Sequence, residues 1–277
     1  VKDGERALYH ALYPARHALY SSDQFAQSCG LPASPLDDMI TFHIVFGKTV
    51  PDVSLNAVAN LGYAQGRWLA PVWPGDTLRS ESEVIGLKQN SNGKTGVVYV
   101  RTTGFNQNDT KVLEYVRWVM VRKRDVDALA PETVVPDLPK ALTVDDLSIP
   151  ETLDFSNYDF TLAGEAHRWD DYTVGEMIDH VDGVTVEEAE HMMATRLWQN
   201  TAKVHFDTSA RPDGSGDTIR AWTEVLDKAD TDKPGVGALR LRLVATKGGE
   251  PFKLKGEDGK YLPDVLLDLD YWALIPK

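Results

Sequence analysis

The sequence has one cysteine, Cys29, among 277 residues, so no internal disulfide can form and stability has to come from packing. That economy fits a reducing compartment, and a cytoplasmic protein is expected. No run of about 18 apolar residues occurs, which argues against a membrane-spanning helix. Cations are in the minority: 29 Lys and Arg against 42 Asp and Glu give a net charge of −13. Nucleic acid and anionic membrane both reward clustered cations, so neither is expected as a partner. Metal-ligand spacings are also lacking, since His17, His43 and His191 stand isolated, and no Gly-rich phosphate loop is found. No metal or redox cofactor is expected. Without a pairing partner, Cys29 reads as a buried small hydrophobe.

What the chain does have is a repeat. Gly75-Asp76-Thr77-Leu78-Arg79 returns as Gly216-Asp217-Thr218-Ile219-Arg220, each copy leading into a strand-like run. A repeat constrains architecture before any local motif does. Further upstream, Val1 aligns with Val186, Tyr13 with Trp198 and Tyr20 with His205, an offset of 185 residues, whereas Gly75 and Gly216 are offset by 141. The second copy is therefore 44 residues shorter, and the shortfall falls between about Arg211 and Gly216. The first copy, in turn, has no counterpart of residues 168–185 and no initiator methionine, so residues ahead of Val1 are expected.

Helical spacing of Ala7, Leu8, Ala11, Leu12 and Ala15 predicts a helix within residues 1–19, and a second is expected over 41–59 with a kink at Pro51. Strands are expected at 76–87, 96–103 and 112–124, where β-branched and aromatic residues concentrate. The Pro-rich, acidic stretch 125–166 reads as a linker over the surface. The second copy then predicts a leading strand and turn over 168–181, a helix over 186–197, and strands at 217–228, 237–247 and 265–275. The expected organisation is α+β: residues 1–124, a linker, and residues 167–277, each copy wrapping an antiparallel sheet around a central helix. For the second copy that helix falls in the missing 44 residues.

The run from Arg67 to Leu78, RWLAPVWPGDTL, resembles the P-V-x-P-G-D-T-L signature of the MaoC-like hydratases, the hydratase 2 enzymes of the hot-dog fold. Trp169-Asp170-Asp171-Tyr172-Thr173-Val174-Gly175-Glu176 resembles that family's opening strand, and Val184 to Glu188 the start of its first helix. The runs 13–19 and 43–56 are similar to the branch of the family that acts on mesaconyl-CoA, a dicarboxylic enoyl thioester. The resemblance implies a tandem (double) hot-dog and reversible addition of water to an α,β-unsaturated acyl-CoA, with CoA as part of the substrate and no separate cofactor. Such chemistry needs a base to deprotonate water and donors to hold the charge growing on the thioester oxygen. The family's base motif, D-x-N-P-x-H, falls on residues 200–205, where only the histidine is unchanged. This implies His205 as base with Asn200 orienting water, since an amide holds water but accepts no proton.

Asp207 stands near enough to assist, and Tyr20 replaces the histidine in the first copy, which makes that copy a binding half. Lys203, Arg16 and Arg67 are candidates for the substrate's second carboxylate, because each lies within a recognised run. Arg117, Arg122, Lys123 and Arg124 are available for the CoA phosphates. Two rival readings remain open, a hot-dog acyl-CoA thioesterase and a non-catalytic acyl-CoA-binding protein, because a fold alone does not give function. Paired hot-dogs also leave room for a homo-oligomer.

Overall fold

The computed structural model describes residues 1–207, 216–248 and 251–277, so the expected gap in the second copy lies outside the described residues. The first half opens with α1 (Asp3–Leu12), passes a 3-10 turn at Ala18–Tyr20 and α2 (Asp23–Ser28), and reaches α3 (Asp38–Thr49). Asp37 starts α3: its carboxylate accepts the Met39 N–H at 2.8 Å and satisfies a donor that the first turn leaves unpaired. Ile40, Thr41, Ile44 and Val45 recur at helical spacing and are buried. The helix expected to run to residue 59 ends earlier. Proline has no N–H and crowds the preceding turn, and the chain widens into a π-type turn at Val50–Ser54 around Pro51.

β1 (Ala57–Trp68) takes the residues that follow and joins β2 (Arg79–Gln89), β3 (Thr95–Phe105) and β4 (Lys111–Arg122) in an antiparallel sheet of order β1-β4-β3-β2. Helix α3 lies across it. Gly104 on β3 allows the approach, since a Cβ there would stand 2.7 Å from Val45 Cγ2. Arg117 is turned inward by the strand's alternation. Its guanidinium donates to Thr49 Oγ1 at 2.8 Å and lies 4.5 Å over the Phe46 ring, and the residue is fully buried. Arg117 is thereby removed from the phosphate candidates. Lys123 is engaged with Gln89 and the carbonyls of Val126 and Ala128, whereas Arg122 and Arg124 remain exposed.

The linker is not confined to the surface. Leu153 and Phe155 are buried against Phe25, Cys29 and Val236, in a core that also confirms Cys29 as a buried hydrophobe. Asp154 N–H donates to the Cys29 carbonyl at 3.0 Å and Phe155 N–H to that of Pro234 at 2.9 Å, so apolar side chains and backbone pairing together pull the stretch inward. Beyond α4 (Phe160–Ala163), the expected leading strand shrinks to β5 (Met177–Asp179), because Asp171 accepts the Arg168 N–H and closes a 3-10 turn at Trp169–Asp171.

β6 (Val184–Thr185), α5 (Glu188–Leu197), β7 (Thr218–Asp230), β8 (Val236–Lys247) and β9 (Val265–Pro276) complete the second half. Its antiparallel sheet has the order β5-β7-β8-β9, with β6 on the end of β7. Two hydrogen bonds repeat between the halves. Gly75 N–H donates to Val1 O at 2.6 Å and Gly216 N–H to Val186 O at 3.0 Å, while the Val1 amine and the Val186 N–H donate to the carbonyls of Asp76 and Asp217. The sequence alignment of the copies is thus an alignment in space. Tyr13 and Trp198, equivalent by the same offset, stack on each other with ring centroids 5.9 Å apart, as residues beside a pseudo-two-fold axis do. The fold is a tandem hot-dog of the α+β class, and among the described residues no helix takes the place of α3 on the second sheet.

Candidate active site

The segment expected to carry the chemistry, residues 198–207, begins at the junction of the halves, where residues 198–200 meet the first half. Helix α5 ends at Trp198, Gln199 turns the chain in the left-handed region at φ 55°, and a 3-10 turn follows at Lys203–His205. Trp198 is the anchor. Its ring lies 4.5 Å from His43 in a stacked arrangement and 5.7 Å from Tyr9 edge-on, and it is 7% exposed. Helix α3 comes close enough that only glycine fits at position 47, where a Cβ would fall 1.8 Å from the Trp198 carbonyl oxygen. Lys48 Nζ adds a hydrogen bond to Gln199 Oε1 at 3.1 Å.

His205 is partly buried, with Nδ1 placed 3.3 Å from Nε2 of His191 on α5. One ring must donate to the other, which fixes the plane of both imidazoles. The Asn200 side chain also has a local role: Oδ1 accepts the Ala202 N–H at 2.9 Å and closes the turn that leads to His205. Lys203 is exposed two positions before His205, and Asp207 is partly buried. The structure thus brings Asn200, Lys203, His205 and Asp207 together on one short segment. Arg67 is placed elsewhere, on β1, where it forms an ion pair with Glu114 at 3.0 Å across the sheet.

The equivalent position in the first half is chemically different. Tyr20 is partly buried at the end of its 3-10 turn, and its hydroxyl approaches Asp38. Burial first, then the charges of Asp38 and Asp37, push the Tyr20 phenol well above its ordinary range. The Asp38 carboxyl reaches solvent, yet the crowding of protein around it and the neighbouring Asp37 charge push it up to about 7. Asp37 is also raised by burial and accepts from the Tyr9 hydroxyl at 3.3 Å. His17 is exposed as a residue, but the protein crowded around its ring pushes it down, and its Nε2 lies 3.1 Å from the Tyr158 hydroxyl; Arg16 is exposed.

Sequence reading missed three of these residues. His191 has a visible signal, because it shares the α5 face of the buried residues Ala194, Thr195 and Trp198, and a histidine on such a face needs a partner. Trp198 appeared only as the mate of Tyr13 in the repeat. Asp38 reads as half of a loop-marking acidic pair until Asp37 is seen to cap α3.

These features define a class of protein before any particular relative is considered: two fused hot-dogs with a histidine-bearing segment clamped at their junction. No family model matches the chain. It is 64% identical to the mesaconyl-CoA hydratase of Cereibacter sphaeroides, over all of this chain and 93% of that protein. It is 51% identical to the β-methylmalyl-CoA dehydratase of Chloroflexus aurantiacus, over all of this chain and 92% of that one. A crystal structure described as a putative MaoC domain protein dehydratase from Chloroflexus aurantiacus superposes with a TM-score of 0.94 at 51% identity, covering 100% and 92% of the two chains. A double hot-dog protein of Mycobacterium tuberculosis shares the fold at a TM-score of 0.72 and 19% identity, covering 99% and 92%. The chain belongs to the MaoC-like double hot-dog family of hydratases and dehydratases. Among the described residues, no helix is long and apolar enough to cross a membrane.

Proposed function

We propose that this protein catalyses the reversible hydration of mesaconyl-CoA to β-methylmalyl-CoA, with the second half supplying the base and the first half binding the acyl-CoA. The observation that carries the reading is the 64% identity, across the whole chain, to a protein named for that activity. In this reading His205 takes a proton from water as the oxygen attacks the β-carbon, the π electrons shift toward the thioester oxygen as an enolate, and the proton is returned to the α-carbon, while His191 keeps the ring oriented through the 3.3 Å contact. Asn200 orients the water through its amide and also shapes the turn that positions His205. Tyr20 offers a protonated hydroxyl, which donates a hydrogen bond but accepts no proton at neutral pH. Lys203 faces solvent beside His205 and is the cation assigned to the substrate's second carboxylate. No metal or redox group takes part in this scheme.

The test is loss of the enoyl-thioester absorbance with mesaconyl-CoA and with crotonyl-CoA, run beside a free-thiol assay. Consumption of the chromophore without release of CoA, faster with the dicarboxylic ester, is expected. Stoichiometric thiol release would make the protein a thioesterase, and tight binding without turnover would make it an acyl-CoA-binding protein. Replacing the base, His205→Ala, is expected to lower kcat by about 10²- to 10⁴-fold.

A further inference from the structure

Arg117 places a charge in the core of the first half without placing a carboxylate beside it. The residue is 0% exposed, and every acceptor its side chain finds among the described residues is a neutral oxygen: Thr49 Oγ1 at 2.8 Å, Ser54 Oγ at 3.3 Å and Asn60 Oδ1 at 3.4 Å. Its Nε has no partner among them. Burial pushes the guanidinium pKa down, but from so high a value that the proton stays. A buried charge without a counter-charge is unfavourable, and an apolar side chain of similar volume usually does as well or better. Stability therefore gives no reason for an arginine here, and its geometry does.

The guanidinium fork reaches three elements at once. Thr49 is the last residue of α3, Ser54 the last of the π-type turn, and Asn60 lies on β1. The Thr49 hydroxyl donates to the Phe46 carbonyl at 2.7 Å and the Phe46 ring lies 4.5 Å from the guanidinium, so one side chain holds residues 46 and 49 together. Between them stand Gly47 and Lys48, the residues that meet Trp198 and Gln199 across the junction. Pro51 lacks an N–H, which leaves the turn after α3 one backbone tie short, and the fork supplies side-chain ties in its place.

We infer that Arg117 is a positioning residue for the second half's site: by fixing the end of α3 from behind, it sets where Gly47 and Lys48 meet the 198–200 segment and hence where His205 stands. The inference rests on His205 being the base. A lysine would not serve equally, because an ammonium is a point charge and lacks the planar fork that spans several acceptors.

The test compares Arg117→Met and Arg117→Lys with the parent, as full chains, by Tm, by kcat and KM for mesaconyl-CoA, and by amide hydrogen exchange over residues 198–205. Trp198, Gln199, Asn200 and His205 serve as reporters, since their N–H groups donate to the carbonyls of Ala194, Arg196, Thr195 and Ala202. For Arg117→Met, Tm is expected to stay level or rise. Its kcat should nevertheless fall by about 10- to 100-fold, the scale of a displacement near 1 Å, with KM within about twofold of the parent. Exchange at the reporters should quicken by about tenfold while the β3 and β4 amides keep the parent's rates. Arg117→Lys should recover part of the kcat. Combined with Gly47→Ala, the losses in kcat should not add, because both changes act through one contact.

Should the methionine variant fail to fold, Ser54→Ala removes one leg of the fork and is expected to show the same pattern on a scale of about threefold in kcat and in exchange. A fall in Tm with kcat and reporter exchange unchanged would make Arg117 a core residue only and overturn the inference. A general rise in exchange across the first sheet would do the same, as would level kcat and exchange in every variant. If the parent shows no turnover, the exchange result decides alone, so this inference and the proposed hydratase activity fail separately.

Discussion

Substituting Gly47 by alanine probes whether the two halves clamp the candidate segment as described. In an exposed helix interior this change stabilises by about 1 kcal/mol, because glycine loses more backbone entropy on folding. At position 47 the added Cβ would lie 1.8 Å from the Trp198 carbonyl oxygen and 2.9 Å from its carbonyl carbon. Ordinary contact needs roughly 3.5 Å, so α3 and the 198–200 segment have to separate by about 1.5 Å. The obstacle is backbone, pinned by an indole packed on His43 and Tyr9, and no flexible side chain can absorb the overlap. Overpacking of this kind costs about 1–3 kcal/mol and here belongs at or above the upper end, so it outweighs the propensity gain.

A net loss of about 2 kcal/mol or more corresponds to a fall in Tm of about 4–8 °C for a chain of this size. The catalytic effect should be larger than the thermal one, since displacing a reacting group by about 1 Å costs roughly 10²-fold in rate. Circular-dichroism melts and hydration rates measured on Gly47→Ala provide the assay. Gly4→Ala, at a helix position with open space around it, is the control expected to hold or raise Tm. A Gly47 variant as stable and active as the parent would mean that the halves do not meet at Trp198, and the clamp would have to be abandoned.

Two desolvated groups should make stability depend on pH with opposite signs. The Asp38 carboxyl rises from 3.8 to about 7 on folding, so the folded state holds the extra proton and stability falls as pH rises through that window; Asp38→Asn removes the slope. Burial lowers His43 from 6.5 to about 4, so its contribution is present above about 6.5 and is lost as pH falls toward 4; His43→Gln removes that slope. Denaturation midpoints between about pH 4 and 7 should therefore tilt in opposite directions in the two variants, and a common tilt would contradict both assignments. Lys203→Met should raise KM for mesaconyl-CoA by about tenfold while leaving crotonyl-CoA unaffected, and equal effects on both esters would remove Lys203 from carboxylate recognition. Asn200→Ala should cost about 1 kcal/mol through loss of the turn bond to Ala202, whereas Asn200→Asp keeps that acceptor and should melt like the parent.

The repeat was the most legible part of the molecule, because Gly75 and Gly216 occupy left-handed positions with φ of 107° and 98° and make the same bond back to Val1 and Val186. Strand interiors were legible for a related reason: alternation on a half-buried sheet leaves a period-two record in the residues. Element ends were not. The helix drawn to residue 59 failed where Pro51 opened a wider turn, and the strand drawn from Arg168 failed where a local Asp171 cap outcompeted sheet pairing. The linker's burial was hidden because Leu153 and Phe155 find their partners on α2 and β8, far away in sequence. In the site, His205 could be found from the family motif, but the histidine beside it, the indole that clamps it and the use of the Asn200 oxygen are products of packing. Arg117 shows the same limit in reverse, since its charge suggested a phosphate ligand and its place in the alternation buried it.

With His205 as the base, the two equivalent positions would also explain how one half of a duplicated enzyme can lack a base and still be needed. A tyrosine buried beside two carboxylates becomes a weaker acid, because desolvation and like charge both oppose the phenolate. Tyr20 thus stays a donor across the working pH range, which suits it to holding a carbonyl or a water and unsuits it to proton abstraction. A histidine in that acidic setting would instead be pushed toward the protonated form, and so away from base chemistry. At the equivalent position of the second half His205 faces a second imidazole, which can donate or accept as the tautomer requires. If His205 is the base, the two halves differ both in the residue at the motif position and in the group set against it, a carboxyl beside the Tyr20 hydroxyl and an imidazole beside His205.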